Sequence, residues 1–321
     1  MENEIKVSVI CTAYNHAKYI RKCLDGFVMQ KTNFKYEVLI NDDASTDNTA
    51  EIIKEYELKY PDIIKPIYQT ENQYSKGVKI SSDILSPRAK GKYIAFCEGD
   101  DYWCDENKLQ LQYDAMEAHP ECKMCVHKVQ IISEDGCYCD KFYPPYKLAE
   151  KEIDGEEFLE LTTSYSFQTS SYMFSIEEYK LLVQSKPEFY KASPVGDEAW
   201  VLFFANIGKV YYIDLVGSCY RRNSSSSWSS SMRNKDRQIT AIERMIKTYE
   251  LFNAYTDYKY NTSIEKRIQK RLFRKYLLIK EYKQLLTKEL RQEFLARSFK
   301  ERFKIRLCAK FPKVMKALKK F

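Results

Sequence analysis

The sequence predicts an α/β protein: an open, doubly wound, mostly parallel sheet followed by a helical C-terminal extension. Three observations carry the prediction. Short apolar runs rich in β-branched residues alternate with stretches of helical periodicity through the first hundred residues. Polar turns, several of them acidic, follow those runs directly, at the strand ends where doubly wound sheets bind their ligands. The positive charge is confined to the end of the chain: residues 261–321 hold 20 Lys and Arg against 5 Asp and Glu, a net of +15, which leaves −8 on the preceding 260 residues of a chain whose total is +7.

Taken in order, Lys6 to Thr12 (KVSVICT) is a near-continuous apolar run, as expected of a strand covered on both faces, and it stops at Ala13, Tyr14 and Asn15. From Tyr19 to Gln30 the residues Ile20, Cys23, Leu24, Phe27 and Val28 recur at helical spacing, and Tyr36 to Ile40 returns to strand character, completing a βαβ unit. Asn41 to Thr46 form a polar turn, Asp47 or Thr49 caps a helix over Ala50 to Tyr60, and Ile63 to Gln69 is a further strand. Tyr93 to Cys97 is a strand that runs into FCEGDDYW, Phe96 to Trp103, with Asp100 and Asp101 side by side. Lys123 to Ile132 reads as a buried strand closed by the turn Glu134, Asp135, Gly136. Glu156 to Thr163 is a short helix, and Ser164 to Phe174 (SYSFQTSSYMF) is an aromatic, hydroxyl-rich strand or loop, suited either to a sugar pocket or to the core. Asp197 precedes a helix over Ala199 to Ile207 and, if it has no chemical role, is its N-cap; Gln238 to Phe252 and Ile264 to Leu286 are helices, the latter with Ile268, Leu272, Tyr276 and Leu277 on one face.

Composition narrows the classes. A chain of 321 residues that is 44% hydrophobic can bury one large core or two smaller ones, and nine glycines with nine prolines leave no low-complexity linker. An acidic N-terminus that enters a strand at once, and ten cysteines without an export signal, imply reduced thiols and a cytoplasmic setting. Cys122, Cys125 and His127, with Cys137 and Cys139, are zinc-ligand types, but the strand pattern makes the first three ordinary core residues. Because the body is acidic, nucleic acid is not an expected partner.

The chemistry gathers at strand ends. Carboxylates converging from a turn suit a hard divalent cation, Mg²⁺ or Mn²⁺, that also carries phosphates. Thr12, Asp43 and Asp100 all stand at such ends. Asp43 can accept from a pyrimidine ring N–H, Thr12 and Tyr14 can contact base and ribose, and Asp100 with Asp101 can hold ribose and metal.

The segments VSVICTAYNHAKYIRKCL, EVLINDDASTDNT and GKYIAFCEGDDYW, in this order and spacing, resemble the N-terminal half of family 2 glycosyltransferases, inverting enzymes of the GT-A fold. The resemblance implies nucleotide contacts from Thr12, Tyr14 and Asp43, and ribose and metal contacts from Asp100 and Asp101, with Asp101 the favoured ligand; Glu98 stands where many members have an Asp. It continues through SPVGDEAWVLFFANIGKVYYIDLVGSCYRRNSSSSWS, where it implies Asp197 as general base, with Glu198 as its neighbouring alternative, and places Asn223 where the family often has His. There the Asn223 amide oxygen can still coordinate a hard ion, or Arg221 and Arg222 can clamp the diphosphate instead. The expectation is a catalytic domain over residues 1–230 that moves a sugar from a nucleotide diphosphate donor, a UDP-sugar, to a saccharide or lipid-linked saccharide, with Mn or Mg assisting.

Two further features lie beyond the motifs. Ser224 to Ser231 reads as a loop that closes over the donor or as a plain connector. Residues 231–321 form a basic helical region in which Phe299, Phe303, Leu307, Phe311, Val314 and Leu318 recur at steps of four and three among Lys and Arg. Such a stripe suits either an anionic membrane surface, the inner face of the cell membrane through residues 296–321, or docking on the protein body. The rival classes are a sugar-nucleotide nucleotidyltransferase, which lacks its Gly-rich phosphate loop here, and a noncatalytic polyanion-binding protein acting through the tail.

Overall fold

The computed structural model describes residues 4–163, 167–222, 232 and 234–311. Asn223, the serine run and the stripe positions beyond Phe311 therefore lie outside the described residues. The chain divides into two compact units, Met1–Lys186 with Trp200–Ser230, and Pro187–Ala199 with Ser231–Phe321.

The first unit is built on one sheet. Its parallel part consists of β1 (Ile5–Ala13), β2 (Lys35–Asp42), β3 (Ile64–Tyr68) and β4 (Tyr93–Phe96), joined by α1 (Ile20–Val28) and α2 (Thr49–Lys59). These strands are the apolar runs of the sequence, and β1 and β2 are buried almost throughout, as two covered faces require. The sheet then turns mixed. It continues with β5 (Tyr102–Trp103), α3 (Lys108–Ala118), β6 (Cys122–Ile132), β7 (Tyr138–Tyr143), β8 (Lys151–Ile153), α4 (Gly155–Thr162), β9 (Met173–Ser175), α5 (Ile176–Ser185) and β10 (Lys209–Arg221). Strand order is β3-β2-β1-β4-β9-β6-β10-β5, with β7 on β6 and β8 on β10. The progression reverses at β1, which has β2 on one side and β4 on the other, so the crevice favoured for ligands opens at the carboxyl ends of these three strands.

The packing follows from the same residues. Val9, Cys11, Leu24, Phe27, Val38 and Trp103 share one core cluster, into which Cys122 and Cys125 also pack. α1 rides so close to β5 that a Cβ on Gly26 would stand 2.6 Å from the Trp103 carbonyl oxygen. The aromatic stretch ahead of β9 is core: Phe167, Tyr172 and Phe174 are all buried, and Phe174 stacks on Phe204 at 4.5 Å. Its described residues supply no sugar-facing aromatic row, and only Met173–Ser175 of it is strand.

The second unit is helical. It holds α6 (Glu188–Ala192), the first turn of α7 (Gly196–Ile207), α8 (Lys235–Tyr255), α9 (Asn261–Ile279), α10 (Arg291–Leu295) and α11 (Phe299–Lys310). The helix expected to run to Leu286 ends at Lys280, which takes a left-handed conformation (φ 64°) and is followed by a single turn at Gln284–Leu286. The inward face is also rotated from expectation: Phe273 is fully buried with Leu272 and Tyr276 beside it, whereas Leu277 is 36% exposed. α11 opens with a capping box between Ser298 and Glu301 and buries Ile305, Cys308 and Ala309. None of the described helices is long and apolar enough to cross a membrane.

Candidate active site

Thr12, Asp43 and Asp100 meet because their strands are neighbours. Thr12 faces Asn41 in register across β1 and β2, and the Thr12 carbonyl accepts from the Gly99 amide at 2.9 Å, tying the acidic turn to the end of β1. The Asp43 amide donates to the Ala13 carbonyl at 2.9 Å. Side chains lace the two remaining turns together: the amides of Asn15, His16 and Ala17 donate to Ser45 Oγ, Thr49 Oγ1 and Asp47 Oδ2 at 2.9, 2.8 and 3.0 Å, and Asn15 Oδ1 accepts from the Thr46 amide at 2.8 Å. Asn15 holds a left-handed φ of 54°, which Asn tolerates well, and Ala44 holds 59°, a less common choice. Asp47 also accepts from the Thr49 amide at 3.0 Å and so joins the turns, but the N-cap of α2 is Asn48, without a side-chain cap, so neither Asp47 nor Thr49 takes the capping place expected of it.

Three groups here differ from the reading of the sequence. Asp43, 4% exposed, accepts from the amides of Gln73 and Tyr74 at 2.8 and 3.0 Å, so it pins the segment after β3 and retains one further lone pair on each oxygen. His16 is a participant that the sequence reading passed over. Burial pushes its imidazole below the ordinary value against the pull of Asp100, Asp47 and Asp42, and its Nδ1 has no hydrogen-bond partner among the described residues. Asp42 Oδ1 is likewise buried and unpartnered, and desolvation raises the Asp42 carboxyl. The signal for His16 was its place in TAYNHA, one residue past the turn.

The acidic turn is held from beneath by β10. The Arg221 amide donates to Asp101 Oδ1 at 2.7 Å, its Nε to the Asp100 carbonyl at 3.0 Å, and its Nη1 to the carbonyls of Ser133 and Glu134 at 3.2 and 2.8 Å, while its guanidinium lies 4.4 Å from the Tyr19 ring centroid. Arg221 is 5% exposed and acts as a bracket between the turn and the end of β6. Beside it an open cleft of about 770 Å³ is lined by Lys18, Tyr19, Lys22, Glu134 and Gly136 among others. Below the turn, the fully buried Lys108 sets its ammonium 3.7 Å from the Trp103 ring centroid.

Asp101 is 2% exposed, and burial, then Asp100 and Glu98, push its carboxyl well above the usual range. The donor set fits a hard divalent cation in kind, since all three side chains offer carboxylate oxygens and a cation would relieve the crowding that raises Asp101. Among the described residues no three His, Cys, Asp or Glu are gathered to hold a metal unaided, either here or at the Cys122 cluster.

Asp197 and Glu198 form the first turn of α7, within the second unit. Asp197 is a first-turn residue, not the N-cap expected, and its Oδ1 accepts from the Glu198 amide at 2.9 Å. Desolvation, then Glu198, push the Asp197 carboxyl up to about 6. Glu198 is occupied: its Oε1 accepts from Tyr249 Oη at 2.8 Å and pairs with Arg267 Nη1 at 2.6 Å, both side chains being almost fully buried.

A sheet whose order reverses at β1, with an acidic turn at the switch point, is an α/β fold of the GT-A class. The structure of Staphylococcus aureus TarS residues 1–349 in complex with UDP-GlcNAc has this fold, with a TM-score of 0.61 at 19% identity over 85% of this chain and 73% of that one. Residues 8–165 match the model of Glycosyl transferase family 2. An uncharacterized Mycobacterium tuberculosis protein is 46% identical over 140 residues, 43% of this chain and 39% of that protein. A Bacillus subtilis protein named for teichuronic acid biosynthesis, TuaG, is 33% identical over 136 residues, 42% of this chain and 51% of that one. The chain thus spans about half the length, or less, of these relatives.

Proposed function

We propose that this protein is an inverting glycosyltransferase that moves a sugar from a nucleotide diphosphate, a UDP-sugar, to a hydroxyl of a saccharide or lipid-linked saccharide. The observation that carries the reading is the meeting of the β1, β2 and β4 ends, where the acidic turn hydrogen-bonds to Thr12 and two buried polar atoms, His16 Nδ1 and Asp42 Oδ1, lack hydrogen-bond partners among the described residues. Thr12, Tyr14 and Asp43 face base and ribose, Tyr14 being 39% exposed and able to stack. Asp100 and Asp101 hold ribose and a divalent ion, Mn²⁺ or Mg²⁺, whose chemistry when bound is to stabilise the charge of the departing diphosphate. Arg221 holds the Asp101 carboxylate and the Asp100 backbone in place, and with Arg222 lends positive charge to the phosphates. UDP as the donor base is supported by the ligand of TarS.

Asp197 is the general base. An acceptor hydroxyl is un-ionised before attack, so the carboxylate takes its proton as the oxygen bonds to the anomeric carbon and the bond from that carbon to the diphosphate oxygen breaks. A carboxyl raised to about 6 is a stronger base than an ordinary Asp and is still ionised at neutral pH. The basic C-terminal region, with its exposed Phe299 and Phe303, supports contact with an anionic membrane surface, where a lipid-linked acceptor would be met.

A thermal-shift panel of UDP, GDP, CDP and dTDP, each with and without Mn²⁺, followed by transfer assays with the sugars of the responding nucleotide, tests the reading. UDP should give the largest rise, Mn²⁺ should enlarge it, and Asp101→Asn should abolish the metal-dependent part. A chain that no nucleotide stabilises would overturn the proposal.

A further inference from the structure

Lys108 is an anomaly in the core of the first unit. It is fully buried, yet its Nζ has no hydrogen-bond partner among the described residues and rests instead 3.7 Å from the Trp103 ring centroid. Lysines are almost never enclosed without a polar partner, because burial strips the ammonium of its hydration. Here burial pulls the lysine down to about 7, against the pull of Cys97 and Cys125.

Two further buried atoms share its circumstance. Gln112 stands one turn along the buried side of α3 from Lys108. Its Nε2 donates to the carbonyls of Ser171 and Cys125 at 2.9 and 3.3 Å, which fixes the amide orientation and leaves Oε1 without a partner among the described residues. His127, fully buried on β6, sets its Nδ1 2.9 Å from the Lys128 carbonyl. A carbonyl only accepts, so Nδ1 carries the proton and Nε2 is a bare acceptor, also unpartnered among the described residues. Burial, then Lys108, push this imidazole down to about 3, which keeps it neutral.

The fold brings the three together. α3 packs on β6, and Gln112 reaches the carbonyl of Cys125, two residues before His127 and so on the same face of the strand. The His127 ring lies against Gly217 of β10, where a Cβ would stand 2.9 Å from Nε2. The next residue, Ser218, is opposite Trp103 in the pairing of β10 with β5, and Trp103 carries the lysine on its ring. One donor and two bare acceptors therefore border one enclosed region, and none is within hydrogen-bond distance of another.

We infer that Lys108, Gln112 and His127 hold one internal water molecule. It accepts from Lys108 Nζ and donates its two protons to Gln112 Oε1 and His127 Nε2. That gives the roughly three hydrogen bonds usual for a buried water and satisfies all three atoms at once. An apolar filling would strand every one of them, and a bound anion would face the lone pairs of Oε1 and Nε2. Trp103 follows Asp101 by two residues, so the hydrated lysine lies beneath the strand that leaves the acidic turn.

A crystal structure of the full chain, at a resolution that shows ordered water, tests the site directly. One water is expected about 3 Å from Nζ, Oε1 and Nε2 together. A direct bond from Nζ to either acceptor, or a site without water, overturns the inference. Urea melts test it in solution through a double-mutant cycle of Lys108→Met and His127→Leu. Loss of the bond to the Lys128 carbonyl weighs equally in both backgrounds, so the cycle isolates what the two side chains share. His127→Leu should raise the unfolding constant about fivefold or more further in the parent than in Lys108→Met, whose thioether has no charge to hydrate. Equal effects in the two backgrounds overturn the inference as well. Should His127→Leu not fold, Gln112→Met takes its place in the cycle with the same expectation.

Discussion

Asp197 and Glu198 are adjacent carboxylates with opposite circumstances, and one pair of substitutions separates them. Glu198 balances the buried Arg267, so Glu198→Ala strands a charge that is 3% exposed and should lower stability by about 3–5 kcal/mol, read from urea melts. Asp197 behaves in reverse. Its native pKa of about 6 lies above the ordinary 3.8, so the folded chain binds this proton more tightly than the unfolded chain does. Its ionisation therefore opposes folding: the penalty is absent below the unfolded value, grows as pH rises through the window between the two, and is complete above 6. Asp197→Asn should accordingly melt higher than the parent at pH 7.5, the difference closing by pH 4, while transfer falls about 10²-fold or more. The parent's kcat/KM should fall on the acid side with an apparent pKa near 6, where the base becomes protonated. An Asp197→Asn variant that keeps full transfer would pass the role to another group. From sequence alone Asp197 is favoured and Glu198 stays as its alternative, because the tertiary partners of Glu198 sit 51 and 69 residues away on other helices.

At the scale of elements, legibility follows how much of the physics is local. The strands of the parallel half carry their own signal, since burial on both faces demands unbroken apolar runs, and their ends came out within about two residues of the observed ones. The mixed half was less legible. β9 has three residues and exists because β4 and β6 flank it, a pairing that no local pattern encodes. The end of α9 at Lys280 has neither Gly nor Pro to announce it. His16 escaped notice because its neighbours Asp42, Asp47 and Asp100 arrive from three separate segments. Close approach of elements is equally silent in the sequence, and Gly26 is the instance that bears on the site. In α1 a methyl there would lie 2.6 Å from the Trp103 carbonyl oxygen and 3.0 Å from its amide nitrogen, atoms of the strand that leaves the acidic turn. Gly26→Ala is favoured by helix propensity, worth about 1 kcal/mol, yet should destabilise by about 1–3 kcal/mol net in a thermal or chemical melt because backbone must move. If α1 were free to slide, the substitution would instead stabilise.

Across the whole molecule the charge is divided between the units, −8 on the first and +15 on the second. The acidic first unit carries the residues proposed to face the nucleotide, so attraction to anionic surfaces would be a property of the second. α11 shows how such a surface would be met. One face enters the cluster of Phe273, Leu285 and Phe294 through Ile305, while Phe299 and Phe303, one turn apart, stay 75% and 60% exposed with Lys300, Arg302, Lys304 and Arg306 around them. The helix docks through Ile305, Cys308 and Ala309, a face other than the stripe, and leaves Phe299, Phe303 and Phe311 outward. Aromatic rings inserted at a lipid interface and lysines above acidic headgroups act together, each basic residue near the surface contributing about 1 kcal/mol and losing most of it as salt shortens the Debye length. The chain should therefore float with vesicles containing acidic phospholipid and not with neutral ones, and release as salt is raised. Removing residues 296–321 would also uncover the cluster that Ile305 completes, so the sharper variant is Phe299→Ser/Phe303→Ser, which changes only exposed rings. It should weaken vesicle binding at least tenfold while leaving the melting temperature and the response to UDP unchanged. Flotation that survives in this variant but vanishes in salt would mean that charge alone makes the contact.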